Sequence, residues 1–225
     1  MNGAYNWDFS VVWEYQDMLA RAAVLTLGVA AGTIACGVVF GLLLAMLRLS
    51  RLRTLAAVVM MVIEVLRAVP PVVLVVWIYY CMPILTGWSL NAVQTSIMAL
   101  ALYSGAFYAE IFRAGIQSVS RGHLEAAYAC GMTRFRTMTR ITAPLAFQSV
   151  LPPFISQCVL VVKNTSLASF IAVPEIVYQG QRLSIQTFRP LEILTSIAVI
   201  FIALIIPLTL LANLAEARIR RKYYA

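Results

Sequence analysis

Five apolar runs, at residues 22–47, 55–80, 92–112, 144–162 and 191–214, divide this chain of 225 residues. Each is long enough for a helix crossing the roughly 30 Å of bilayer hydrocarbon, which takes about 20 residues. Lipid offers no water to backbone N–H and C=O groups, so runs of this kind must satisfy them within helices. Only 12% of the residues are charged, whereas soluble domains carry about a quarter. The expected fold is therefore all-α: a polytopic bundle of five membrane spans. One membrane domain, 21–217, lies between an N-terminal segment, 1–20, and a basic tail, 218–225.

The net charge of +8 comes from short basic stretches between the runs. One face collects Arg48, Arg51 and Arg53, then Arg113, Arg121, Arg134, Arg136 and Arg140, then the tail cations. Twelve cations fall there, against Arg21, Lys163, Arg182 and Arg189 on the other. Lysine and arginine accumulate on the cytoplasmic side of membrane proteins, so the N-terminus is expected outside and the C-terminus inside. That bias accounts for the charge without a nucleic-acid partner. Cys36, Cys81, Cys130 and Cys158 lack metal-ligand spacing, and His123 is the single histidine; no metal site is expected. Asp8, Glu14 and Asp17 precede a first run too long for a signal-peptide core, so no signal peptide is expected.

Charged and hinge-forming residues inside spans mark function or pairing. Glu64 and Arg67 stand one helical turn apart in the second run, an i,i+3 pair by spacing, beside Pro70-Pro71, which should break the helix as a kink or a gate hinge. Glu110 and Arg113 repeat the spacing in the third span. Lys163, Asn164, Thr165 and Ser166 end the fourth run with four polar side chains, which a helix end in water would explain. Ser104 and Gly105 lie in the middle of the third run, and Gly28/Gly32 and Gly37/Gly41 in the first. Small residues there allow close helix packing.

The connection between the third and fourth runs, about 114–141, is far longer than the one at 48–54. It contains "EAAYACGMTRFRTMTRITAP", residues 125–144. Glu125 is expected near a helix start, where an acid complements the dipole. Ala126 and Ala127 leave the backbone approachable, Gly131 lets the chain turn, and Pro144 should restart a helix. Docking of a cytoplasmic partner and an interfacial helix on lipid headgroups both fit these residues.

Glu125-Ala126-Ala127, then Gly131, Ile141 and Pro144, resembles the EAA loop of ABC-importer permeases. Ala143 stands where that family usually has leucine. "EVLRAVPPVV" at 64–73, "SGAFYAEIFRAGIQSVSRGHLEAA" at 104–127, "VVKNTSLASFIAVPEI" at 161–176 and "TFRPLEI" at 187–193 are similar to its polar amino acid uptake branch. His123 replaces the usual glutamine and Asn164 a common aspartate.

The resemblance implies the five-span type I importer (MetI-like) fold in the bacterial cytoplasmic membrane, with Glu125, Ala126, Ala127 and Gly131 on a coupling helix. It implies a second permease, identical or related, a cytoplasmic ATPase homodimer carrying ATP and Mg, and an extracytoplasmic solute-binding protein. The cargo implied is a polar amino acid or close analogue. Asn164, with Thr165, Ser166, Ser104 and Gly105, would line the pathway, and Glu64, Arg67 and Pro70 would serve structure or gating. No GxxxxGK-type phosphate loop occurs, so the chain is expected to bind no cofactor and to be no enzyme. The competing class is a self-contained secondary transporter or channel with the basic loop lying on lipid; it calls for an inverted repeat, and none is evident.

Overall fold

The computed structural model describes residues 5–50 and 52–223. Arg51 and the side chains of the basic tail, both counted above, lie outside the described residues. Regular structure among the described residues is helical throughout. Four helices are long and apolar enough to span alone, and a sharply bent pair is so only when its two halves are taken together, which gives up to five spans.

The short α1 (Ser10–Glu14) leads into α2 (Gln16–Arg48), which packs along α5 (Ala92–Gln117). Glycine spacing explains the closeness. A Cβ on Gly41 would stand 2.7 Å from the Tyr108 Cβ and 2.8 Å from the Gly105 carbonyl oxygen, and one on Gly37 3.0 Å from the Ser104 Oγ. Thus Gly37 and Gly41 make the α2–α5 seam, whereas Gly28 meets nothing within 4 Å. The helix α5 opens on a capping box, with Gln94 N–H donating to Asn91 Oδ1 at 2.8 Å and Asn91 N–H to Gln94 Oε1 at 3.3 Å.

The second run is not one helix. α3 (Arg53–Ala68) and α4 (Pro71–Thr86) meet at 100°. Val69 is extended because a proline follows it, and Pro70 has ψ 134°, while Pro71 starts the next helix where its missing N–H costs nothing. The elbow is held against α5: Arg67 lies over the Phe107 ring at 5.0 Å and reaches Glu64 at 3.5 Å.

The fourth run also departs from a simple span. α6 (Arg121–Ala129) and the single turn α7 (Arg134–Thr137) precede a π-helical segment, Met138–Thr142, and then α8 (Ala143–Asn164). Pro144 therefore does not restart a helix: the wider π turn before it runs on from α7 without a break. α8 narrows at Thr165 into a 3-10 segment, Thr165–Ile171, which ends at Ala172 with φ 58°. The connection to the last run then forms α9 (Ile176–Thr187), capped by the Glu175 carboxylate, before α10 (Pro190–Tyr223).

Three apolar clusters hold the bundle. Val75 and Ile78 of α4 meet Ala99 and Leu100 of α5 and Ala168 and Ile171 of the 3-10 segment. Leu19 and Ala22 meet α9 and α10, and Leu44, Val59 and Ile63 meet Ala106 and Ala109. The outer apolar faces, such as Val24, Leu43, Met61 and Ile202, suit contact with lipid tails.

A polar clamp closes the end opposite the arginine-rich loops. The Glu192 carboxylate, wholly buried, accepts from the Tyr5 hydroxyl at 2.6 Å and the Asp8 N–H at 3.1 Å. Arg189 donates to Glu192 at 3.2 Å and to the Asn6 carbonyl at 3.0 Å. The N-terminal segment is thereby fastened to the start of the last span.

Candidate coupling helix and translocation site

The basic connection begins where α5 ends at Ser118, whose hydroxyl donates to the Gly115 carbonyl at 2.8 Å and lies 3.1 Å from the Ser149 hydroxyl of α8. Ser120, extended, precedes α6, and its hydroxyl pairs with His123 Nδ1 at 2.6 Å. Glu125 therefore sits in the middle of α6 rather than at its start, because the helix begins at Arg121, one turn earlier than the acid suggests. At the far end Gly131 adopts φ 73°. Its N–H donates to Tyr128 O at 2.9 Å and that of Met132 to Ala127 O at 3.1 Å, the Schellman closure of a helix. Thr133 then caps α7 through Arg136 N–H at 3.4 Å.

Glu125, Ala126 and Gly131 are exposed and Ala127 is buried. Thus α6 rests on the rest of the loop through Ala127 and presents Glu125 and Ala126 outward. Tyr128 and Phe135, 49% and 77% exposed, stand on the same projection. The residues alone did not mark them; their i,i+3 and i+10 spacing from Glu125 carries no periodic signal across the break at Gly131. Beside α6 an open recess of about 410 Å³ is lined by Ser120, His123, Gln148 and Ser149.

Charged pairs tie this end together. Arg48 of α2 pairs with Glu110 of α5, and Arg113 donates to the same carboxylate at 2.8 Å and to Gln117.

Deeper in the bundle the sequence candidates separate. Ser104 is buried and donates to the Leu100 carbonyl at 2.6 Å, and Gly105 is buried where an added Cβ would stand 2.7 Å from the Phe40 ring of α2. Thr165 is wholly buried and donates to Val162 O at 2.7 Å; Ser166 donates to Lys163 O at 2.8 Å and Ser169 to Ser166 O at 2.7 Å. These hydroxyls satisfy carbonyls freed where α8 narrows. Lys163 is exposed and Asn164 half-exposed at the same place. Of the carboxylates beyond the spans, Glu175 is wholly buried; Oε1 accepts from Tyr178 N–H at 2.8 Å and Oε2 has no partner. Burial pushes its pKa up to about 7, against the lowering effect of the Val177 and Tyr178 N–H groups.

Such an architecture, spans broken in mid-bundle above an exposed helix joined to them by a basic loop, defines a multi-pass membrane transport component. Residues 37–221 match the family described as the binding-protein-dependent transport system inner membrane component, and the chain belongs to it. It is a permease subunit of the amino acid ABC transporter type, an inner-membrane transport component and not an enzyme. The chain is 32% identical over 214 residues to the glutamine transport system permease protein GlnP of Escherichia coli K12, covering 95% of this chain and 98% of that one. It is 35% identical over 201 residues to the octopine transport system permease protein OccM of Rhizobium meliloti, covering 86% and 82%. A solved amino acid ABC transporter with histidines superposes with a TM-score of 0.88 at 28% identity, over 95% of this chain and all of the other. The inward-facing MetNI methionine transporter shares the fold, with a TM-score of 0.76 at 17% identity and coverage of 92% and 98%.

Proposed function

We propose that this chain forms the membrane pathway of an ATP-driven importer of a polar amino acid or close analogue, with α6 as the lever on which an ATPase subunit acts. The observation that carries the reading is the geometry of α6: a short helix, closed at its C-terminal end by the turn at Gly131, that projects Glu125 and Ala126 into solvent. In this reading the arginine-rich end is cytoplasmic, an ATPase homodimer holding ATP and Mg grips α6 in the chain and in a second permease, and a solute-binding protein delivers cargo to the opposite face. The carried solutes of the relatives, glutamine and octopine, support an amino acid or amino acid conjugate.

The cycle has two states, and each ligand shifts the balance by its differential affinity. ATP draws the two α6 helices together and opens the pathway outward; hydrolysis resets it. Docked binding protein and bound ATP favour the same state, so each strengthens the other. The α3–α4 elbow, already broken at Pro70, lets half a span rotate without rupturing helical hydrogen bonds.

The test is a mild-detergent pull-down of the tagged chain from its native host, with mass spectrometry of what accompanies it. An ABC ATPase in the eluate is the expected result, and Glu125→Arg should lower its recovery at least tenfold while leaving the chain in the membrane. A stable complex without any ATPase would favour a self-contained transporter.

A further inference from the structure

Two recesses flank the contact of α5 with α8 at the arginine-rich end. One, of about 430 Å³, lies between the end of α3, α5 and α8, with Arg67, Glu110, Arg113, Ser118, Ser149 and Pro153 in its wall. The other is the recess beside α6. They share the Ser118–Ser149 hydroxyl pair, so one polar furrow runs from the elbow to α6. Gly115, in the same wall, lets α5 and α8 touch, since an added Cβ would stand 2.2 Å from Val150. The two sides of the furrow are thereby fixed against each other.

Charge at the elbow end of the furrow does not balance. Glu110 is shared by Arg48 and Arg113, and Glu64 takes Arg67 at a loose 3.5 Å. Three guanidinium groups thus meet two carboxylates, and among the described residues no further carboxylate lines either recess. The side chains of Arg48, Glu110 and Arg113 are only 17%, 19% and 25% exposed. A net charge withdrawn from water in this way calls for a counter-charge beside it. Donors are also to spare. Arg113 commits three N–H groups, to Glu110 and Gln117, and Arg67 one, to Glu64, of the five that each carries.

We propose that the recess between α3, α5 and α8 holds the phosphate group of an anionic phospholipid on Arg67 and Arg113. Phosphate suits this donor set, because one guanidinium can take two of its oxygens and leave another for the second. The excess charge is permanent, so its counter-ion is a resident one. Lipid of the adjoining leaflet is the anion in constant supply, and basic pockets between membrane helices bind such headgroups. Ile111, Ala114 and Pro153 in the same wall give the glycerol and first acyl carbons an apolar edge. The site needs only a chain set in a membrane and stands apart from the importer reading.

The test is native mass spectrometry of the protein, purified with whatever subunits accompany it, titrated with dioleoylphosphatidylglycerol or dioleoylphosphatidylcholine. The wild type should retain one phosphatidylglycerol per chain, about fivefold or more in preference to phosphatidylcholine. Arg67→Gln should lower that retention about fivefold, the effect of one cation at a charged surface. Ala114→Phe, which fills the recess without touching a charge, should lower it as far. Arg53→Gln, an exposed arginine outside both recesses, should leave it within about twofold of wild type. Equal retention of the two lipids would overturn the proposal. So would equal losses in Arg53→Gln and Arg67→Gln, which would mean attraction to basic surface in general. Displacement of the lipid by millimolar glycerol 3-phosphate would overturn it too, since a free anion would then be the occupant. The same spectra report assembly, and wild-type retention in either recess variant that assembles rejects the site.

Discussion

Glu175 shows how much one carboxylate can cost. It caps α9 with one oxygen and buries the other without a partner. Its pKa in the folded chain stands near 7, above the 4.5 of a free carboxyl, so the folded state binds more protons than the unfolded one between those values. Stability consequently falls as pH rises through that window and carries the full cost above it. At 1.36 kcal/mol per unit the cost reaches about 3 kcal/mol. Glu175→Gln keeps an acceptor for Tyr178 and removes the charge. It should raise the Tm in detergent at pH 8 and leave it nearly unchanged at pH 4.5, as thermal unfolding across pH would show; an equal rise at both would reject the account. At this scale the turn at Gly131 was legible in sequence, since its φ of 73° is one that glycine adopts freely. Glu192 was not, because an acid at a span end gives no sign that it will meet residues 5 and 8.

Elements were legible where period and length suffice and illegible where the break is local. Runs of apolar residues located the four spanning helices and the bent pair, and Pro70-Pro71 announced an interruption, but not its 100° angle, which the pre-proline and proline torsions of Val69 and Pro70 set together. The 3-10 narrowing after Asn164 was hidden because Thr and Ser reveal only in three dimensions which carbonyls they serve. The α2–α5 seam carries a prediction of opposite signs for one substitution. Gly41→Ala pushes a methyl onto the Gly105 carbonyl and should cost about 1–3 kcal/mol. Gly28→Ala meets nothing and should gain up to about 1 kcal/mol of helix propensity. Denaturant titration of both variants in detergent checks the pair; equal effects would mean that glycine packing does not decide this seam.

For the whole molecule, orientation rests on the distribution of lysine and arginine, and Cys130 offers the means to test it. This thiol is exposed beside α6, whereas Cys81 and Cys158 are half-buried among the spans. A membrane-impermeant maleimide should leave Cys130 unlabelled in intact cells and label it once the membrane is opened. Labelling in intact cells would invert the bundle and place α6 outside. The bundle itself is lopsided, since the window of α10 that crosses the membrane is only 11% buried, against 61% for α5. That asymmetry gives the Glu192 clamp a place in biogenesis. Tyr5 and Asp8 leave the ribosome long before Glu192, so the segment that carries them bonds to water until that carboxylate is made. A chain cut short before α10 keeps that segment loose, which makes the closed clamp a chemical record that translation reached α10.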